Sequence, residues 1–368
     1  MHSLSSLGSG RLSAVSQSVT SSRLGWMGTL AALLSVGGVA GCSDGDDSAA
    51  TVSLADSGTL AALTPPNGLQ IPTTVTVTQG LAWVAESQFN HYTPFGGDGM
   101  PGDFRLVGYP LAAGSQVEYI PLPPDFYPEG VTSSPRDGRL YVGSVANGSI
   151  YTVGPNVFAA VPFVRPDVLG GSVFGMTVSQ DQTTLFACFG DEDGARLLGL
   201  DIATATVVVS HELPPVSAEI PSFCNDVIMS PNGNLWVTES FGGRLFRIPA
   251  ENVMTSESAE VWLEAPNLAG PDGPAANSFG ANGLTLVSGR LYIANTDRGT
   301  LWKIDPSLAE PTEDDLVYVE FAKPDAEPAA LAKPDGIFAI GVNQLLMVEN
   351  GLGLSNGQQV WVATIDRL

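Results

Sequence analysis

Asn225 to Ile248 reads NDVIMSPNGNLWVTESFGGRLFRI. A polar residue opens the stretch, an apolar run follows, and Pro231-Asn232-Gly233 turns the chain. Asn234 to Ser240 (NLWVTES) then alternates with the two-residue period of a strand, and RLFRI supplies a third strand beyond a glycine pair. A turn with Gly at the position that needs positive φ closes the first two strands into a hairpin. The same grammar recurs as EGVTSSPRDGRLYVGSVANGSIYTV from Glu129 and NGLTLVSGRLYIANTDRGTLWKI from Asn282. It returns as DGIFAIGVNQLLMVENGLGLSNGQQVWVATI from Asp335. Weaker copies start at Gly175 (GMTVSQDQTTLFACFGDEDGARLLGLDI) and at Val75 (VTVTQGLAWVAESQFN, running on to FRLVGYPL).

Opening positions at 129, 174, 225, 282 and 335 are 45 to 57 residues apart, the size of one four-stranded propeller blade. A β-solenoid uses shorter repeats, and a sandwich does not repeat six times. The expected fold is therefore all-β: a six-bladed β-propeller with four-stranded blades around a central channel. Composition agrees. Gly 42 and Pro 27 with only 14% charged residues suit many short strands and tight turns, and 44% hydrophobic residues fill a large core.

The first 42 residues are of another kind. Arg11 and Arg23 precede an apolar stretch from Trp26 to Ala40, and no acidic residue occurs before Asp44. This is the layout of an export signal. Val39-Ala40-Gly41-Cys42 resembles a lipobox, which implies that Cys42 becomes a lipidated N-terminus. Ser43 does not match the aspartate signal for inner-membrane retention, so a lipid-anchored place in the cell envelope is expected, at an outer membrane or periplasmic face if the cell has one. Residues 43–57 read as a flexible tether and 58–368 as the propeller, with Leu60 to Pro72 a candidate for a strand of the last blade. Cys188 and Cys224 are compatible with a disulfide or with two separate buried thiols.

With 15 basic against 38 acidic side chains, the net charge of -23 repels nucleic-acid phosphates and anionic headgroups. Nucleic acid is excluded as a partner, contact with a membrane is expected only through the lipid, and a monomer acting on a small molecule is expected.

In a propeller the first strand of each blade lines the channel, so its opening residue stands at one mouth. Around the ring the openers are a Thr near 74, Glu129, Phe174, Asn225, Asn282 and Asp335. Polar residues open many strands simply because strand ends meet water. Four carboxylates and amides at one register of a convergent ring point further, to oxygens that replace the hydration shell of a hard cation, calcium first. The histidine or thiolate set of a zinc site is missing from these positions.

The order Glu, skipped blade, Asn, Asn, Asp, within EG, ND, NG and PDG pairs over roughly residues 125 to 350, resembles the gluconolactonase and regucalcin family of calcium-dependent propellers. The resemblance implies a divalent cation on Glu129, Asn225 and Asp335, with Asn282 as ligand or neighbour, and hydrolysis of a lactone or related ester. It also implies Asp335 as ligand and general base. In sugar-lactonase members an Arg usually stands two residues before the first Asn; here that place is Phe223, in PSFCND, which favours a more apolar substrate.

Candidate substrate contacts are Phe223, Phe174 and Phe279. The long loop from Ser87 to Asp103 (SQFNHYTPFGGDGMPGD) is a candidate lid, and its His91 a candidate proton shuttle. Glu86, Glu239, Asn295 and Glu349 recur where second strands end and read as exposed blade-end residues or as supports of the ligands. No Gly-x-Ser-x-Gly elbow or phosphate loop is present. The alternative to an enzyme is a non-catalytic propeller, stabilised by its ion, that binds a ligand or a protein.

Overall fold

The computed structural model describes residues 56–112, 116–155, 157–166, 168–322 and 331–366. Residues 1–42, read above as an export signal ending in a lipobox at Cys42, lie outside the described residues. Six inner strands, Pro72–Thr78, Pro128–Ser133, Ser172–Val178, Cys224–Met229, Ala281–Val287 and Pro334–Ala339, pack side by side, the last against the first. From each of them the chain steps outward through antiparallel neighbours, which is a β-propeller. Among the described residues there is no α-helix.

Four of the sheets are separate and four-stranded, spanning Pro72–Pro121, Pro128–Val164, Ser172–Glu212 and Cys224–Glu264. The expectation of six separate sheets is not met, because the remaining eight strands hydrogen-bond into one sheet. The cause is Asp56–Ala62. It runs antiparallel to Gln359–Ile365, with Leu60 opposite Ala363, and parallel to Val317–Ala322, with Gly58 opposite Phe321. One strand thus serves both neighbours. Ordered strand begins two residues inside the stretch 43–57 read as a tether.

Each sheet lies between two others, so the second strands are covered on both faces. Leu235–Glu239 is buried at every position, although its sequence alternates. Polar positions of that alternation are therefore buried too, and they must find partners.

All six inner strands carry a register shift at the same place, between Pro72 and Val75, Pro128 and Val131, Val173 and Met176, Cys224 and Val227, Ala281 and Leu284, and Pro334 and Ile337. A bulge lets one extra residue re-aim its side chain out of the pleat, and the residue re-aimed here is the opener. Close approach explains the glycine that follows most openers. A Cβ on Gly130 would lie 2.1 Å from Phe174 O, and one on Gly283 would lie 2.3 Å from Asp335 O. Neighbouring backbones meet at the axis, where a side chain does not fit.

Cys188 and Cys224 form a disulfide with a Cα–Cα distance of 5.2 Å. It joins the second strand of one sheet to the inner strand of the next, directly before Asn225. Closing a 36-residue separation is worth about 3–4 kcal/mol by loop entropy. Replacing both cysteines by Ala should lower the denaturant midpoint accordingly, and an unchanged midpoint would show that the bond adds nothing to the packed ring.

Candidate metal centre

The bulges bring Glu129, Asn225, Asn282 and Asp335 to one cavity of about 120 Å³. All four are buried. The opener of the first sheet is Thr73, one place before the expected position. Its Oγ1 donates to Glu129 O at 2.9 Å and contacts Ser87 Oγ at 2.7 Å. Phe174 closes the third side of the ring with a ring rather than an oxygen.

Hydrogen bonding decides which atoms face the cavity. Ser240 Oγ donates its single hydrogen to Ala281 O at 2.6 Å, so toward Asn225 it only accepts, from Nδ2 at 2.9 Å. Thr296 repeats the device: Oγ1 donates to Pro334 O at 2.6 Å and accepts from Asn282 Nδ2 at 2.8 Å. Each amide thereby turns Nδ2 to a hydroxyl, which leaves Oδ1 as the oxygen it can offer a cation, and Asn282 also hydrogen-bonds Asp335. Asn350 Nδ2 donates to Asp335 Oδ2 at 2.7 Å. Glu129 Oε2 and Asp335 Oδ1 are buried with no hydrogen-bond partner. An unpaired buried carboxylate oxygen is costly. Two of them, beside two amide oxygens held in place, fit a hard divalent cation that takes only oxygen ligands.

The titration of these groups agrees. Burial, then the charges of Asp335 and Asp226, pushes Glu129 well above the usual carboxylate range. Burial, reinforced by Asp226 and opposed by the Asn350 hydrogen bond, lifts Asp335 to about 7. Asp226, which stands where four of the other five inner strands have Gly, is raised to about 7 by burial, against hydrogen bonds from the Val227 and Leu284 amides. Among the described residues no three of His, Cys, Asp and Glu form a metal-holding group. The candidate set is half amide, and Asp226 is not a third carboxylate ligand in it. A raised carboxylate binds more protons folded than unfolded, here from about pH 4 to about pH 7. Without a cation the fold loses this stability as pH rises through the window; a cation that displaces the protons restores it.

Glu86, Glu239, Asn295 and Glu349 are not water-exposed blade ends; all are almost fully buried. Each grips the segment that enters its inner strand. Glu239 accepts from the amides of Phe223 at 3.1 Å, Phe241 at 2.9 Å and Gly242 at 2.9 Å and pairs with Arg244 at 2.9 Å. Asn295 donates to Ala269 O at 2.9 Å, and Glu349 accepts from Ala332 N at 2.7 Å. The next residue in each case (Ser87, Ser240, Thr296, Asn350) reaches the opener or its backbone. The paired pattern Glu-Ser, Glu-Ser, Asn-Thr, Glu-Asn stood in the sequence as a signal for these supports.

The rest of the lining is largely aromatic. Phe223, Phe174 and Phe279 all line the cavity with Phe89 and Phe95. Phe223 packs on Phe174 at 4.6 Å and on Phe279 at 5.4 Å between ring centroids. Phe95, in the 87–103 loop, meets Phe279 edge-on at 5.9 Å, so this loop reaches across the mouth. His91, the candidate proton shuttle, is not among the lining residues. Its Nδ1 is 2.6 Å from Asp98 O and its Nε2 2.9 Å from Asn90 Nδ2, so the ring braces the loop's own fold. Sequence reading missed Asp297 and Lys333, which line the cavity and form an ion pair at 2.7 Å.

An all-β propeller with two carboxylates and two amides buried at its axial mouth under an aromatic wall is thus the class that fold and site define. The sequence matches no protein-family model and no curated protein. Among solved structures it is similar to a calcium-binding regucalcin from Agrobacterium tumefaciens, with TM-score 0.57 and 13% identity over 86% of this chain and 98% of that one. A luciferin-regenerating enzyme gives TM-score 0.55 and 12% identity over 85% and 94% of the two chains. Virginiamycin B lyase from Staphylococcus aureus gives 0.53 and 14% over 83% and 99%. At such identities the likeness is one of fold.

Proposed function

We propose that this chain is a divalent-metal-dependent hydrolase of an apolar lactone or related ester, exported and held in the cell envelope by a lipid on Cys42. The observation that carries the reading is the pair of unpartnered buried oxygens, Glu129 Oε2 and Asp335 Oδ1, in a cavity walled by phenylalanines. Calcium suits the all-oxygen donor set, and the regucalcin that shares the fold is described as calcium-binding. Glu129, Asn225, Asn282 and Asp335 would hold such a cation, which would polarise an ester carbonyl and acidify a water. Asp335 would take the proton of that water as it adds to the carbonyl and return it to the alcohol oxygen as the acyl C–O bond breaks, while the phenylalanines would seat the substrate body and exclude bulk water. Phe223 stands where a charge-gripping Arg would serve a sugar acid, so a neutral lactone is the better guest.

We also read the eight-stranded sheet as two blades joined by one parallel pairing, six blades in all, because six inner strands close the ring. The Cys188–Cys224 disulfide supports export, since such bonds persist in oxidising compartments. A second reading, a metal-stabilised propeller that only binds, draws on the placement of His91 away from the cavity. The fold hosts a lyase as readily as a calcium-binding protein and does not choose.

A lactone panel decides between them. Turnover of aromatic or acyl lactones that a chelator abolishes and calcium restores supports the hydrolase. No turnover anywhere, with calcium still raising the melting temperature, supports the binder.

A further inference from the structure

We infer that Lys333 is a specificity determinant of this cavity, donating to a second, uncharged acceptor oxygen of the substrate away from the bond that is cleaved. The inference rests on the lactone or ester reading above and narrows the substrate class to neutral molecules with an apolar body and two acceptor groups.

Lys333 lines the cavity two residues before Asp335. One of its three ammonium donors goes to Asp297 Oδ1 at 2.7 Å. Two are left for a guest. The head is held, not floating. Asp297 Oδ2 accepts from Phe279 N at 2.8 Å and Ser278 Oγ at 3.4 Å, which fixes the carboxylate against the aromatic wall. At the other end the Lys333 backbone sits at φ 59, a left-handed conformation a lysine adopts only when its surroundings impose it. Those surroundings are the Lys333 amide on Leu331 O at 3.1 Å and the Asn350 amide on Lys333 O at 3.0 Å. Asn350 is also the residue that holds Asp335. The strained turn and Asp297 therefore hold the ammonium in the cavity wall beside Phe279, two residues along the chain from the candidate ligand Asp335.

Charge selects the kind of oxygen. Asp297 already balances Lys333, Glu129 and Asp335 balance a divalent cation, and the chain as a whole carries -23. A carboxylate on the guest would meet no net positive field. A carbonyl or ether oxygen accepts from the ammonium without that penalty.

The test uses lactone pairs matched in size, one member bearing a remote carbonyl, the other a methylene, and a third bearing a carboxylate. The full-length protein is compared with Lys333→Met, Lys333→Arg and Asp297→Asn, each checked for an unchanged melting profile. The expected result is a preference of about tenfold in kcat/KM for the carbonyl member, the size of one charge-assisted hydrogen bond. That preference should fall to about one in Lys333→Met and survive in part in Lys333→Arg, which keeps a cation at the same turn. Asp297→Asn should shift the preference toward the carboxylate member. No preference in the wild type, or one that persists in Lys333→Met, overturns the inference. If no lactone is turned over, the same pairs are scored as ligands by thermal shift. A carbonyl preference lost in Lys333→Met then upholds the role of Lys333 while the hydrolase reading fails, and no preference sinks both.

Discussion

Asp335→Asn should reduce divalent-cation affinity by about 100-fold or more and abolish hydrolysis, while the chelated protein melts no lower than the wild type. Removal of a charged ligand exceeds the 10–100-fold loss typical of a residue that merely orients one. Loss of the base removes proton transfer as well. The substitution keeps the shape, and Asn350 can still donate to the remaining carbonyl oxygen, so the ring has no steric reason to open. Burial disfavours the Asp335 charge, raising its pKa to about 7, so above neutral pH the metal-free variant is expected to be equal or higher in stability. Melting curves with calcium and with chelator, beside lactone turnover, separate the outcomes. A variant that keeps full calcium stabilisation shows that Asp335 is not a ligand, and one that keeps turnover shows that it is not the base.

Deleting residues 56–62 should cost more stability than any point change in the cavity. The strand satisfies Gln359–Ile365 on one side and Val317–Ala322 on the other, so its loss leaves two unpaired edges and uncovers Phe321, Ala363 and Ile365. Leu60 is 3% exposed, and Leu60→Ala alone should cost about 2–5 kcal/mol. Limited proteolysis reads the deletion directly: cleavage is expected first in the strands next to the gap. A deleted chain as resistant as the wild type would mean that the ring closes without this strand.

The repeat was legible because a propeller writes each blade with the same strand periods and turns, and the polar openers stood out at one register. Their convergence depends on features that residue patterns do not encode plainly. The bulge at each opener is a backbone event, and neither Glu129-Gly130 nor Asp335-Gly336 announces it. Glu239 and Glu349 looked solvent-facing because carboxylates at strand ends usually are. Here coverage of each sheet on both faces buries them, and their partners are backbone amides together with the Arg244 and Trp361 side chains. His91 attracted attention by its chemistry, yet the loop turns its ring onto Asp98 O. Lys333 and Asp297 are 36 residues apart, and only the ring makes them neighbours. The disulfide was undecidable for the same reason: whether Cys188 faces Cys224 depends on how adjacent sheets stagger.

The central claim, a hard cation held by buried and partly protonated carboxylates, is tested most directly by calorimetric titration of calcium into the purified protein. The titration is run near pH 7 in buffers of different ionisation enthalpy, so that protons released on binding are counted. A single site is expected whose filling releases protons, fewer at pH 8 than near pH 6.5, because Asp335, lifted to about 7, is already mostly ionised at the higher pH. Absence of binding, or binding with no proton release at either pH, would contradict it.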